Sequence, residues 1–279
     1  MVAYFNEEYL DQERICISPD DRGFLFADGL YEVIRSYNGH LFKMKNHLDR
    51  LSRGAQELRF NQSDFNYIGE IAHTLIQKNE LMAGDALVYI QVTRGSAKRT
   101  HRFPPKQTPL TVYANASKFY SEKSELENGI KIILVPDQRW ARCDIKSISL
   151  LANILVHQQA RDVGAAEAVF VRDGAVQEGS HSNVFSVKNG ELITPPLTNN
   201  VLAGITREVV ISLCREANIP VMERTIFQEE LGAMDEVMIV GTTVEITPVV
   251  QINDMPLSYG RPGSITRSLQ GSFRKLVEP

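Results

Sequence analysis

Turn-forming dipeptides between apolar runs constrain the fold of this chain more than any other feature of the sequence. Examples are Asn38-Gly39, Asp173-Gly174 and Asn189-Gly190. Pairs of this kind favour the two-residue turns that join antiparallel strands. Segments with helical periodicity interrupt the strands, at 45–60, 64–79, 149–163, 205–217 and 263–275. This mixture predicts an α+β fold and argues against a doubly wound parallel sheet.

The length and a change in composition predict two domains. A chain of 279 residues suits two domains of roughly 120–160 residues each. Residues 116–128 are polar and charged, as expected at a domain boundary. We therefore predict an N-terminal domain at 1–120 and a C-terminal domain at 121–279. In the second domain, the strand pattern across 168–194 predicts a β-meander.

Charge and cysteine content exclude several classes of protein. The net charge of −4 argues against a general nucleic-acid-binding protein. The three cysteines, at 16, 143 and 214, are too few for a disulfide framework and lack metal-ligand spacing. The first residues lack the basic and apolar regions of a signal peptide, so we expect none. The sequence has no long apolar run, Gly-x-Gly-x-x-Gly or P-loop. We expect a cytoplasmic protein with no membrane span, no nucleic-acid partner and no metal.

Lys146 and Glu178 point to a specific chemistry when they are taken together. A lone lysine is most often a solvated surface charge, and a glutamate before Gly-Ser is most often a turn residue. An amine that can lose its proton and a carboxylate that can pair with a pyridinium are, however, what pyridoxal phosphate chemistry needs. Lys146 and Glu178 are therefore candidate residues for binding pyridoxal phosphate.

Ordered segments along nearly the whole chain carry a family resemblance. They are Asp21–Phe24, Asp28–Val33, His47–Leu51, Arg94–Pro104, Arg139–Ser147, Glu178–Phe185, Gly204–Arg207 and Thr242–Pro248. Together they resemble the class IV, branched-chain-like aminotransferases, and within that family the D-amino acid transaminase branch. The resemblance implies pyridoxal 5′-phosphate as cofactor and the two-domain fold type IV. That fold has a smaller N-terminal α/β domain and a larger C-terminal β-barrel-like domain with helices.

The resemblance also implies roles for the site residues. Lys146 would bind the cofactor covalently and then move the Cα proton, and Glu178 would pair with the ring nitrogen. Leu202 would lie behind the ring. The phosphate would be held by Arg50, Ile205, Thr206 and Thr242. Simpler interpretations stay open for three of these residues, because Arg50 could be the polar face of a helix, Thr206 a helix cap, and Thr242 part of a capping box with Glu245.

A basic loop after a strand determines the expected substrate. Arg99 and His101, together with Tyr31, resemble the site that holds the substrate carboxylate in D-amino acid transaminases. In that branch the arginine and histidine come from the second subunit, which implies a homodimer with shared active sites. The alternative interpretation is a solvated basic loop. His181 replaces a serine of the family pattern, and it either adjoins the ring pocket or faces solvent.

The resemblance implies a D-amino acid transaminase. It would convert D-alanine and 2-oxoglutarate to pyruvate and D-glutamate in a ping-pong cycle. The alternatives are an L-branched-chain amino acid aminotransferase of the same fold and a catalytically idle pyridoxal phosphate-binding or regulatory protein. The presence of both Lys146 and Glu178 argues against the idle protein.

Overall fold

The computed structural model describes residues 1–257 and 260–277, which form two compact units. The first comprises Met1–Tyr120 and Ile145–Ser149, and the second comprises Ser121–Asp144 and the described residues from Leu150 onward. The helices are α1 (Arg22–Phe26), α2 (Met44–Glu57), α3 (Ile68–Lys78), α4 (Lys123–Asn128), α5 (Leu151–Asp162), α6 (Ile205–Glu216) and α7 (Ser264–Val277). Within the described residues, none of these helices has the length and apolar character needed to cross a membrane.

Strands alternate with these helices, which confirms the predicted α+β class. In the first unit the strands are β1 (Val2–Phe5), β2 (Glu8–Asp11), β3 (Gly29–Tyr37), β4 (His40–Leu41), β5 (Asp85–Thr93) and β6 (Thr111–Lys118). In the second they are β7 (Ile130–Pro136), β8 (Glu167–Arg172), β9 (Ala175–Gly179), β10 (Asn183–Lys188), β11 (Glu191–Thr194), β12 (Val221–Glu223), β13 (Glu236–Gly241), β14 (Glu245–Ile252) and β15 (Met255–Pro256).

The first unit is an antiparallel sheet with α2 and α3 packed against it. The strand order is β2-β1-β6-β5-β3-β4. Asn38 and Gly39 both have positive φ, at 48° and 81°, and connect β3 to β4 as the hairpin prediction requires. Leu48 and Leu51 of α2 belong to the same buried cluster as Leu30 and Ile34 of β3. This packing fixes α2 against the strand that carries the first candidate site residues.

The segment Ile145–Ser149 extends the first unit, although the predicted domain limits assigned it to the second. The Lys146 carbonyl accepts a 3.1 Å hydrogen bond from the Tyr31 amide, and the Ile148 amide donates to the Gly29 carbonyl at 3.1 Å. The segment therefore lies alongside the beginning of β3. A Cβ at Gly29 would lie 2.7 Å from Ile148 Cδ1, so glycine permits this close approach.

The second unit contains a nine-stranded mixed sheet that curls into a half-barrel. Its main order is β12-β11-β10-β13-β14-β7-β8-β9, with β15 paired to β14. Strand β7 is parallel to both β8 and β14. The buried side chains include Ile132, Val169 and Val237, which join strands distant in sequence into one core.

The meander predicted across 168–194 is wrong in its central connection. Strands β8 and β9 pair, and so do β10 and β11, but β10 lies between β11 and β13. Residues 180–182 leave the sheet, because Ser180 and Ser182 donate hydrogen bonds to the Glu167 carboxylate. Strand β10 then pairs with β13 over Asn183–Val187. Such long-range pairing is not encoded in local turn residues.

Candidate active site

Lys146 lies over an aromatic ring in the first unit. Its Nζ is 4.3 Å from the centroid of the Tyr31 ring and donates a 3.3 Å hydrogen bond to the Tyr31 hydroxyl. Tyr31 stacks in turn on Tyr89, with ring centroids 6.1 Å apart. The half-buried amine is therefore held at one position by the backbone pairing with β3 and by an aromatic surface. The structure brings together Lys146 and Tyr31, two of the residues selected from the sequence.

Arg50 is bound by a carboxylate that the sequence analysis did not select. Glu32 on β3 is fully buried and accepts hydrogen bonds of 2.7 Å from both Nε and Nη2 of Arg50. His47, one helical turn earlier, lies 2.8 Å from the same carboxylate. Arg50 is itself buried, so the interpretation as a solvated polar helix face is wrong. The reason is that β3 turns Glu32 toward α2, where a buried charge needs a partner.

The charges of this triad are set by burial and pairing together. Burial raises the pKa of Glu32, but Arg50 and His47 outweigh it and hold that pKa well below the usual range. Burial lowers the pKa of His47, and Glu32 opposes this shift, while the positive charges of Arg50 and Lys146 add to it. The net shift is downward, so His47 favours its neutral form. Arg50 therefore presents a fixed cation on a rigid support.

Arg99 and His101 lie on an exposed loop and share one aromatic contact. The Arg99 guanidinium is 5.2 Å from the centroid of the Phe26 ring, and the His101 ring is 5.9 Å from it. Buried Arg22 anchors the loop, because its Nη1 donates to the Thr100 carbonyl at 2.9 Å. The loop is thus exposed but held at its centre. The side chains of Arg99 and His101 both lie close to the Phe26 ring.

Glu178 is the centre of a hydrogen-bonded network in the second unit. Its carboxylate accepts bonds from Arg139 Nη1 at 2.5 Å, from the Leu202 amide at 2.9 Å and from Asn183 Nδ2 at 3.3 Å. Burial lowers the pKa of Arg139, but Asp137 and Glu178 outweigh it and raise that pKa above its ordinary value. Leu202, selected from the sequence to lie behind the ring, also orients Glu178 through its backbone.

The remaining predicted residues lie at two backbone turns. Ile205 and Thr206 begin α6, and the first turn of a helix leaves its N–H groups without partners inside the helix. A Cβ on the preceding residue, Gly204, would clash with Asn183 Oδ1, so only glycine fits there. Thr242 lies in the turn between β13 and β14. Because Glu245 begins a strand and not a helix, the capping-box interpretation of Thr242 is wrong.

Several residues that organise these constellations were not selected from the sequence. They are Arg22, Glu32, Arg139 and Asn183. All four occur inside the segments that carry the family resemblance, which was the available signal. Periodicity could not reveal them, because their importance comes from a partner distant in the chain.

The family of the chain follows from a direct match. Residues 29–252 match the family described as amino-transferase class IV. The chain belongs to the class IV aminotransferases. It is therefore a pyridoxal-phosphate-dependent transferase that acts on amino acids and oxo acids.

Relatives of this aminotransferase are similar over almost the entire chain. A D-alanine aminotransferase of Staphylococcus haemolyticus is 39% identical over 280 residues, which cover 99% of this chain and 98% of that protein. A D-alanine aminotransferase of Bacillus licheniformis is 37% identical over 281 residues, which cover 99% and 97%.

Solved structures confirm the predicted fold type IV. The branched-chain amino acid aminotransferase of Escherichia coli superposes with a TM-score of 0.91 at 28% identity, covering 99% of this chain and 94% of that one. The Thermobaculum terrenum branched-chain enzyme, solved in its pyridoxal-phosphate form, gives a TM-score of 0.83 at 25% identity, covering 99% and 93%.

The chemistry of the side chains fits pyridoxal phosphate. An aldehyde needs an amine, and Lys146 presents one on the Tyr31 ring. A pyridine nitrogen needs an ionised partner, and Glu178 is buried beside the cation of Arg139. A phosphate needs donors, and the first turn of α6 supplies backbone N–H groups at the positive end of its dipole. Each functional group of the cofactor therefore has a matching group in this chain.

Proposed function

We propose that this aminotransferase moves the amino group of D-alanine to 2-oxoglutarate, giving pyruvate and D-glutamate. Two relatives with 37–39% identity over nearly the whole chain are D-alanine aminotransferases. The observation within this chain that carries the proposal is the pair of exposed side chains, Arg99 and His101, that both lie close to Phe26. Such a pair suits a substrate α-carboxylate.

The position of the cations would determine which enantiomer reacts. Lys146 moves the proton from one fixed direction, so the hydrogen on Cα must point toward it in either enantiomer. Exchanging D for L then exchanges the places of the carboxylate and the side chain. A carboxylate placed in an apolar environment is costly, so the side that carries Arg99 and His101 selects the enantiomer.

Lys146 is the proposed catalytic residue. In its neutral form the amine takes the proton from the substrate Cα and, in its charged form, returns a proton during the same half-reaction. Tyr31 positions this amine, because its hydroxyl lies 3.3 Å from Nζ and its ring lies beneath the ammonium.

Glu178 and Arg139 have the complementary task of holding a fixed negative charge. When bound, pyridoxal phosphate withdraws electrons from Cα through its protonated ring. Glu178 would keep that ring nitrogen protonated, and Arg139 keeps Glu178 ionised and oriented at 2.5 Å. Leu202 contributes its backbone amide to the same carboxylate.

The phosphate is assigned to Arg50, Ile205, Thr206 and Thr242. Glu32 already fixes the Arg50 guanidinium in place. Little conformational entropy of the Arg50 side chain would therefore be lost when the phosphate binds. Ile205 and Thr206 offer the first-turn amides of α6, and Thr206 adds a hydroxyl. Thr242 lies in the turn between β13 and β14, and its hydroxyl would be a further donor to the phosphate. The division into domains at 1–120 and 121–279 and the cytoplasmic location stay predictions.

We further propose a homodimer in which the partner subunit supplies Arg99 and His101. This can be tested by mixing equal amounts of Lys146→Ala, which should be inactive, and Arg99→Ala, which should keep a small residual activity. If the loop acts on the other subunit, half of the dimers regain one intact site, and about a quarter of the parent activity returns. If each loop serves its own subunit, the mixture shows only about half the activity of Arg99→Ala alone.

An L-branched-chain aminotransferase is the second candidate, because the Escherichia coli enzyme of that name superposes with a TM-score of 0.91. Half-reactions of the purified holoenzyme with D- and L-alanine, D- and L-glutamate and L-leucine distinguish the two candidates. We expect D-alanine and D-glutamate to convert the cofactor fastest. A preference for L-leucine over every D-amino acid would replace our proposal with the second candidate.

A further inference from the structure

A second cluster of polar side chains lies in the second unit, apart from the residues assigned to amino transfer. His157 projects from α5, Glu167 begins β8, and His181 lies between β9 and β10. One potential ligand atom of each residue lies within 4.8 Å of the others. The local sequence around His157, Glu167 and His181 carries no metal-binding pattern. Tertiary structure alone brings the three together.

The distances within this cluster match those of a small metal site. His181 Nδ1 lies 3.0 Å from Glu167 Oε2, and His157 Nδ1 lies 3.7 Å from Glu167 Oε1. Around a tetrahedral zinc ion with bonds of about 2.0–2.2 Å, adjacent ligand atoms are roughly 3.3 Å apart. The two observed distances involve different oxygens of the Glu167 carboxylate, and they lie on either side of that separation. The Ser180 hydroxyl lies 3.2 Å from each Nδ1, so it would rotate away when a cation enters between the imidazoles.

The carboxylate of the cluster is buried and fixed, whereas the imidazoles are accessible. The Glu167 side chain is 1% exposed and accepts hydrogen bonds from the hydroxyls of Ser180 and Ser182. The side chains of His157 and His181 are 39% and 40% exposed. The two imidazole rings therefore contact solvent, while their Nδ1 atoms face Ser180 and Glu167.

The charge of Glu167 suits a cation. Burial raises its pKa, but the charge of His181 and hydrogen bonds from His157, His181 and Ser180 outweigh it and hold the pKa well below the usual range. The Glu167 carboxylate offers an oxygen ligand beside the two imidazoles.

We infer that His157, Glu167 and His181 form a site for a divalent transition-metal cation, with Zn²⁺ the best-matched ion. Two imidazole nitrogens, one carboxylate oxygen and a water in the fourth position make a set that zinc accepts, whereas Mg²⁺ and Ca²⁺ prefer oxygen ligands alone.

A bound cation would stiffen the connection that leads from Glu178 to Asn183. Glu167 already holds this connection through Ser180 and Ser182, and Asn183 donates a hydrogen bond to Glu178. Coordination of the cation by His181 would add a further bond to residues 180–182. The metal site itself requires no particular amino acid substrate, so its test is independent of the proposed D-alanine activity.

The test is a calorimetric titration of the holoenzyme with zinc chloride near neutral pH. The protein must carry no histidine tag and no excess cofactor, because both bind zinc. We expect one zinc ion per chain. His157→Asn and His181→Asn should each weaken binding at least about tenfold, since even the loss of a partner outside the ligand shell costs 10- to 100-fold. The double variant should lose the site.

Matched variants exclude other sources of zinc binding. His40→Asn and His73→Asn remove exposed imidazoles elsewhere, and Cys16→Ser removes the exposed thiol, so all three should bind zinc as the parent does. The cofactor absorbance of every variant reports retained folding. Failure to bind zinc stoichiometrically, or binding that persists in the double variant, would overturn the site. A sulfur ligand in X-ray absorption at the zinc edge would also overturn it.

Discussion

Arg139 donates a 2.5 Å hydrogen bond to Glu178, and the same guanidinium is held by Asp137 at 3.0 Å. Arg139 also lies 4.1 Å from the centroid of the Phe170 ring. The carboxylate assigned to the cofactor ring is therefore kept in place by a buried cation that cannot move independently. This relationship predicts that Glu178 and Arg139 contribute to one function.

Glu178→Gln should keep the cofactor bound but lower kcat for D-alanine. The variant loses a charged partner worth about 1.5–3 kcal/mol, which corresponds to roughly 10- to 150-fold in rate. Arg139→Met should act in the same direction by disfavouring the ionised carboxylate, and the double variant should be less impaired than the sum of the two. Steady-state kinetics over a range of pH measures kcat for D-alanine in each variant. Exposed Glu229→Gln is the control, and additive losses would show that the pair does not act together.

Lys146→Ala should abolish turnover, because no other amine lies over the Tyr31 ring within the described residues. It should also abolish the covalent link to the cofactor. Borohydride reduction followed by mass spectrometry measures that link directly. Exposed Lys123→Ala should retain both properties. Another lysine carries the chemistry if the Lys146 variant still gains the mass of the reduced cofactor.

Arg99→Ala should reduce kcat/KM for D-alanine by roughly 10- to 150-fold, the effect of one lost charged hydrogen bond of about 1.5–3 kcal/mol. Discrimination against L-alanine should fall with it, because the carboxylate loses its preferred side. Lys98→Ala, on the same exposed loop, is the matched control. Unchanged D-alanine kinetics in Arg99→Ala would favour the branched-chain alternative.

The low pKa of Glu32 predicts that the folded protein loses stability in acid. Its pKa is lower in the folded chain than the ordinary value of 4.5, so the unfolded chain binds this proton first as the pH falls. The stabilisation is present above about pH 4.5 and is lost progressively as the pH decreases toward the folded-state pKa. Urea unfolding at a series of pH values measures the slope.

Glu32→Gln should flatten that slope and lower the free energy of unfolding at neutral pH by about 3–5 kcal/mol, because the charge of Arg50 stays buried without its partner. Cofactor retention should fall as well, since Arg50 loses the support that orients it. Exposed Glu80→Gln should leave both quantities unchanged. A variant with the parent's acid sensitivity would show that other carboxylates dominate the transition.

The strand and helix pattern was largely accessible from local sequence. Asn38-Gly39 and Asp173-Gly174 occupy positive φ because few other residues adopt that conformation at low cost, so these turns could be located before the fold was known. The strand order could not be predicted from local sequence. Strand β10 pairs with β13, about fifty positions later in the chain, and no local pattern records that choice.

The sequence alone predicted the family, the five longest helices, the hairpin turns and the candidate residues for the chemistry, such as Lys146 and Glu178. Tertiary structure decided which charges these residues meet: Arg50 meets Glu32, Glu178 meets Arg139, and His181 meets Glu167. The physical reason is burial. A charged side chain removed from water must find a partner, and that partner is set by which strands and helices pack together, not by its distance along the chain.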